Sequence, residues 1–94
     1  MKIKNKEYVV QGNKVTLSEI AVSLLRDIPS GGGVEAARKQ VTLYKKLEEC
    51  NGEIDITPED AVLIRSILDR PNILLTAQTH VDVYDSFNPE NTID

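Results

Sequence analysis

At 94 residues the chain has the length of one domain, with enough surface to bury for a core and little to spare. Eleven Lys/Arg against fifteen Asp/Glu make it mildly acidic, and no run approaches the ~20 apolar residues of a membrane span. A single cysteine excludes an internal disulfide and fits a reducing, cytoplasmic setting. The basic start Met1–Lys6 leads into no apolar segment and does not read as a secretory signal.

The charge is unevenly distributed. Met1 to Leu47 carries nine Lys/Arg and four Asp/Glu, a net +5, whereas Glu48 to Asp94 carries two and eleven, a net −9. Such segregation marks either a charged partner or two halves that pack together, within one fold or across a dimer.

In chain order, residues 1–5 are expected to be loosely ordered. Residues 6–17 read as a β-hairpin, with Tyr8, Val9 and Val10 facing Val15 and Thr16, and Gly12-Asn13 as a two-residue turn. Thr16-Leu17-Ser18-Glu19 has the capping-box form, and Val15 with Ile20 suits a hydrophobic staple. Leu17, Ile20, Ala21, Leu24 and Leu25 then recur with helical spacing until Pro29 stops the helix.

Ser30-Gly31-Gly32-Gly33 precedes a second helix, Val34 to Cys50, whose apolar arc is roughly 200° wide against the ~100° stripe of an ordinary surface helix. That width predicts a buried hub with neighbours on two sides, supplied by the rest of the chain or by a second copy of it, and Ala36, Leu43 and Leu47 are the candidate interface of a homo-oligomer. Asn51-Gly52 ends this helix. Glu53-Ile54-Asp55-Ile56 alternates in extended fashion, and Thr57-Pro58-Glu59-Asp60 starts a third helix running to about Leu68. Ala61, Ile64 and Leu68 should face inward, with Val62 and Ile67 beside them. Ile73 to Ser86 matches a fourth helix with Leu74, Ala77, Val81 and Tyr84 on its inner side, although Val81 to Tyr84 also suits a strand. Residues 88–94 form a polar tail, expected to be loosely held. The fold class is therefore mainly α: a short N-terminal β-hairpin followed by about four helices, in a single domain over 1–94.

Candidate chemistry is sparse. Gly31, Gly32 and Gly33 place free backbone amides at a helix N-terminus, with Arg38 and Lys39 one to two turns in, an arrangement suited to a nucleotide-type anion. The glycine–lysine–serine/threonine ending of a P-loop is missing, and the glycines serve equally as a flexible connector. His80 is the only histidine, and on a helix it does not face Asp82 at i, i+2. Cys50 has no motif around it. Neither a catalytic constellation nor a metal-ligand cluster emerges, and no cofactor is implied. A helix-turn-helix reading of the last two helices puts Asp82 and Asp85, without any Lys or Arg, against phosphates, which argues against DNA.

Three stretches carry a resemblance: Val15-Thr16-Leu17-Ser18-Glu19-Ile20-Ala21-Val22, then Tyr44-Lys45-Lys46-Leu47, then Glu53-Ile54-Asp55-Ile56-Thr57-Pro58-Glu59-Asp60-Ala61-Val62-Leu63-Ile64. Through them the chain resembles a group of small accessory proteins encoded by tailed phages and prophages, mostly without assigned function. Similar proteins often end in an apolar helix containing tryptophan, and Ile73 to Ser86 has none. The resemblance implies a phage accessory role and supplies no functional residues. The expectation is a non-enzymatic protein that binds a protein partner stoichiometrically, inhibiting a host or defence factor. One alternative is an oligomer that sequesters a nucleotide-type anion. Another is a virion assembly factor, which predicts co-purification with particles.

Overall fold

The computed structural model describes residues 1–70, 73 and 75–88. The elements are β1 (Lys2–Lys4), β2 (Glu7–Val10), β3 (Asn13–Thr16), α1 (Leu17–Asp27), α2 (Val34–Glu48), β4 (Glu53–Asp55), α3 (Pro58–Leu68) and α4 (Ala77–Ser86). The fold is mainly α, with two small antiparallel sheets, β2–β3 and β1–β4.

The centre is α1. Leu17, Ser18, Ile20, Ala21, Val22, Leu24 and Leu25 are all buried, and the helix packs against α2, α3 and β3. Its start is the expected capping box: the Thr16 hydroxyl accepts from the Glu19 amide at 3.2 Å, and Glu19 Oε1 accepts from the Thr16 amide at 3.0 Å. The helix ends before Pro29, with Ile28 already extended.

In contrast to the expected hub, α2 buries one stripe only: Gln40, Leu43 and Leu47, with Ala36 and Tyr44 half-buried. Val34, Ala37 and Val41 point outward, Val34 being 68% exposed. An apolar arc on a helical projection says which residues tolerate burial; the number of neighbours decides which are buried. Leu43 and Leu47, at 2% and 0% exposure, are covered by their own chain. Of the expected interface, Leu43 and Leu47 are therefore interior packing, and Ala36 is half-buried.

Residues 1–5 are also tied down, contrary to expectation. β1 pairs with β4, placing Ile3 opposite Ile54, and both side chains are buried. The Met1 ammonium donates to the Ile56 carbonyl at 2.7 Å, and the Ile56 amide donates back to Met1 at 3.1 Å. Asn5 locks the corner: its side-chain amide donates to Ser18 Oγ and the Asn51 carbonyl, while Oδ1 accepts from the Ser18 amide at 2.9 Å.

The hairpin forms with Val10 opposite Asn13, so the turn residues are Gln11 and Gly12, one position earlier than expected. Both have positive φ, 52° and 81°, as a type I′ turn demands, and glycine serves better as its second residue than its first. Tyr8 and Val15 pair on the half-buried face, and the Tyr8 hydroxyl lies 3.4 Å from Ser86 Oγ.

α3 has the expected Thr57 cap, with Asp60 reciprocating at the Thr57 amide. Ala61, Ile64, Ile67 and Leu68 are buried and Val62 is open. α4 is helical, so the strand alternative for Val81 to Tyr84 falls away. It starts after Thr76, later than expected, and buries Val83 and Ser86, followed by Phe87. Of the expected inner face, Ala77 and Val81 point outward and Tyr84 is half-buried; Leu74 lies outside the described residues, as does the tail 89–94. No helix among the described residues is long and apolar enough to cross a membrane.

Candidate functional site

The glycine loop is held from its carbonyl side. The Arg70 guanidinium donates through Nη1 to the Pro29 carbonyl and through Nη2 to the Ser30 carbonyl, pinning the entry to the loop. Gly31 has φ of 74°, and a Cβ on Gly32 would stand 2.9 Å from Ala36 Cβ, so both positions require glycine for backbone reasons. Gly33 caps α2 with no side-chain bond. The conformation accounts for Gly31 and Gly32 without a ligand.

Arg38 and Lys39 lie elsewhere. They line an open groove of about 610 Å³ between α2 and α3, and none of Gly31, Gly32 and Gly33 reaches it. The expected anion site thus divides into a loop and a separate cationic patch. The reason is helical geometry: each residue advances 100°, which turns Arg38 and Lys39 toward α3 and away from the loop.

Leu43, Leu63 and Val62 line the groove with aliphatic side chains, Val62 being 54% exposed. At one end Lys46 Nζ meets Asp60 Oδ2 at 3.5 Å, and Glu59 stands beside the pair. Arg38, Lys39 and Ser66 belong to the other part, and among the described residues neither cation makes an ion pair. The groove is therefore polarised along its length.

A second groove, about 530 Å³, runs between the hairpin and α1. Val10, Val15, Ile20, Leu24, Ile28 and Leu75 line it with aliphatic side chains, and Gln11, Asn13, Glu19, Ser23 and Asp27 give it a polar edge. Asp27 is hydrogen-bonded to Arg26 at 3.1 Å; that bond, reinforced by the carboxylate charge, raises the pKa of the exposed guanidinium above its ordinary value. Sequence reasoning missed this groove. Its only local signal was the Ile20, Leu24, Ile28 ridge at i, i+4, i+8, which reads equally as core.

His80 Nε2 lies 2.6 Å from the Leu68 carbonyl and donates to it, satisfying an end group of α3. Cys50 Sγ donates to the Lys46 carbonyl at 3.7 Å, and Gln78 Nε2 donates to Asp82 at 3.1 Å. Among the described residues no three His, Cys, Asp or Glu side chains gather as metal ligands. Comparison with protein-family models, curated proteins and solved structures found no match for the chain.

Proposed function

We propose that the protein is a non-enzymatic phage accessory factor that binds a protein partner stoichiometrically and thereby inhibits a host or defence component. The observation carrying this reading is the hairpin–α1 groove, with aliphatic walls from Val10, Val15, Ile20, Leu24 and Ile28 inside a polar edge. An apolar centre with a polar rim is the general anatomy of a protein interface. Sequestration of a nucleotide-type anion needs the glycines and the two cations in one site, and the α2–α3 groove has the cations alone.

Ser23 is exposed and lines the hairpin–α1 groove, so Ser23→Arg fills it without entering the core. In quantitative affinity capture from bacterial lysate, the wild type should recover one protein in fixed ratio. Ser23→Arg, with unchanged circular dichroism, should recover at least tenfold less. Equal recovery by both, or nothing above background with the wild type, contradicts the reading.

A further inference from the structure

We propose that Asn51-Gly52 is a self-modification site, at which the chain converts Asn51 to isoaspartate and thereby loosens the strand pair β1–β4. It is the sole Asn-Gly pair in the sequence; Asn5, Asn13, Asn72, Asn88 and Asn91 are followed by Lys, Lys, Ile, Pro and Thr. Both residues are exposed, in the bend between α2 and β4. Among the described residues, neither the Gly52 amide nor the Asn51 side chain makes a hydrogen bond. Glycine has no side chain to shield its nitrogen, and even a Cβ built on Gly52 meets open space.

The chemistry needs water alone. The Gly52 nitrogen attacks Cγ of Asn51 and forms a new C–N bond. The bond from Cγ to the side-chain nitrogen breaks, and ammonia leaves with the proton from Gly52. Water then opens the cyclic imide. Opening at Cγ gives aspartate, and opening at the former main-chain carbonyl gives isoaspartate.

Isoaspartate routes the backbone through Cβ and Cγ, which adds a methylene before the Gly52 nitrogen and turns the former Asn51 carbonyl into a free carboxylate. That carbonyl is one of two that Asn5 grips: Nδ2 donates to Asn51 O at 2.6 Å, and the Asn5 amide donates to Gly52 O at 3.1 Å. The two acceptors then no longer stand one peptide unit apart, and Asn5 loses its fit to both. Asn5 Oδ1 also accepts from the Ser18 amide at 2.9 Å, one of the donors in the first turn of α1 that the helix itself leaves unpaired. The bend is thus tied through a single residue to β1, β4 and the start of α1. The new carboxylate also lies between Glu49 and Glu53 in the chain, and like charges repel. This inference stands apart from partner binding, because neither Asn51 nor Gly52 lines the hairpin–α1 groove.

The test ages the purified full chain in warm, mildly alkaline buffer and follows each asparagine by peptide mapping and mass spectrometry. Asn51 should convert several-fold faster than any other asparagine, with isoaspartate among the products. Gly52→Ala, a change for which the bend has room, should keep the fold by circular dichroism and slow conversion several-fold. The aged form carries an extra negative charge, so anion exchange separates it from the fresh chain. In the isoaspartate form, amides of β1 and β4 should exchange several-fold faster than in the fresh chain. Asn51→Asp, with the same charge on an ordinary backbone, should stay close to the fresh chain. Conversion at Asn51 no faster than elsewhere, Gly52→Ala converting like the wild type, aged and fresh chains exchanging alike, or Asn51→Asp matching the aged chain overturns the proposal.

Discussion

Gln40 is a single polar residue on the buried stripe of α2, and its removal gives the sharpest test of how that helix is anchored. Its side chain is 5% exposed, and Nε2 donates to the Leu25 carbonyl at 2.8 Å and the Ile28 carbonyl at 3.1 Å. Leu25 belongs to the last turn of α1, where carbonyls have no partner inside the helix. Gln40→Ala removes both bonds and leaves a buried acceptor unsatisfied, at about 1–3 kcal/mol. Loss of the aliphatic stem adds to this, giving about 2–4 kcal/mol in all. Against about 5–14 kcal/mol for a chain of this size, the melting temperature should fall by about 10–25 °C. Calorimetry or thermal circular dichroism measures the shift. Gln40→Glu sets a carboxylate against two carbonyl oxygens, which raises its folded-state pKa above the unfolded value of about 4.3. Its stability should therefore drop as pH rises past that range and recover on acidification. A Gln40→Ala variant melting within about 2 °C of wild type would show that the bridge is not an anchor.

Leu47→Ala, at a fully buried site, should cost about 2–5 kcal/mol, while Val34→Ala on the outer face should stay within about 0.5 kcal/mol; urea denaturation separates the two. Thr57→Ala removes the α3 cap and should cost about 1 kcal/mol by the same method. Asn5→Ala breaks three bonds joining the N-terminal strand, α1 and the 51–52 turn, and should accelerate amide exchange in β1 and β4 selectively.

What could be read from the sequence was local. The Thr16 and Thr57 caps depend on neighbours three residues away, and both helices begin where those signals stand. The hairpin was legible to within one residue, because Gly12 suits either position of a primed turn and the register depends on which side of Tyr8 and Val15 meets the core. The β1–β4 pairing was not legible. Strands of three residues carry little pattern, and their partners are about fifty positions apart. The α4 face was missed because the helix packs through Val83 and Ser86, a stripe outside the Leu74, Ala77, Val81 and Tyr84 spacing. Most instructive is α2. A polar residue, Gln40, is the one it buries to bind α1, while Val34 and Val41 remain outside. Both grooves need tertiary neighbours, so their linings could not be assembled from helical periodicity alone.

Both grooves also depend on α1, which walls one and holds α2 in place for the other. Residue-resolved amide hydrogen exchange tests that central role most directly. Ala21 to Leu25 in the middle of α1 should exchange only through global unfolding, and Val41 to Lys45 in α2 should exchange faster, through a smaller opening that leaves α1 intact. Amides of α2 as slow as those of α1, or slower, would contradict an architecture built on α1.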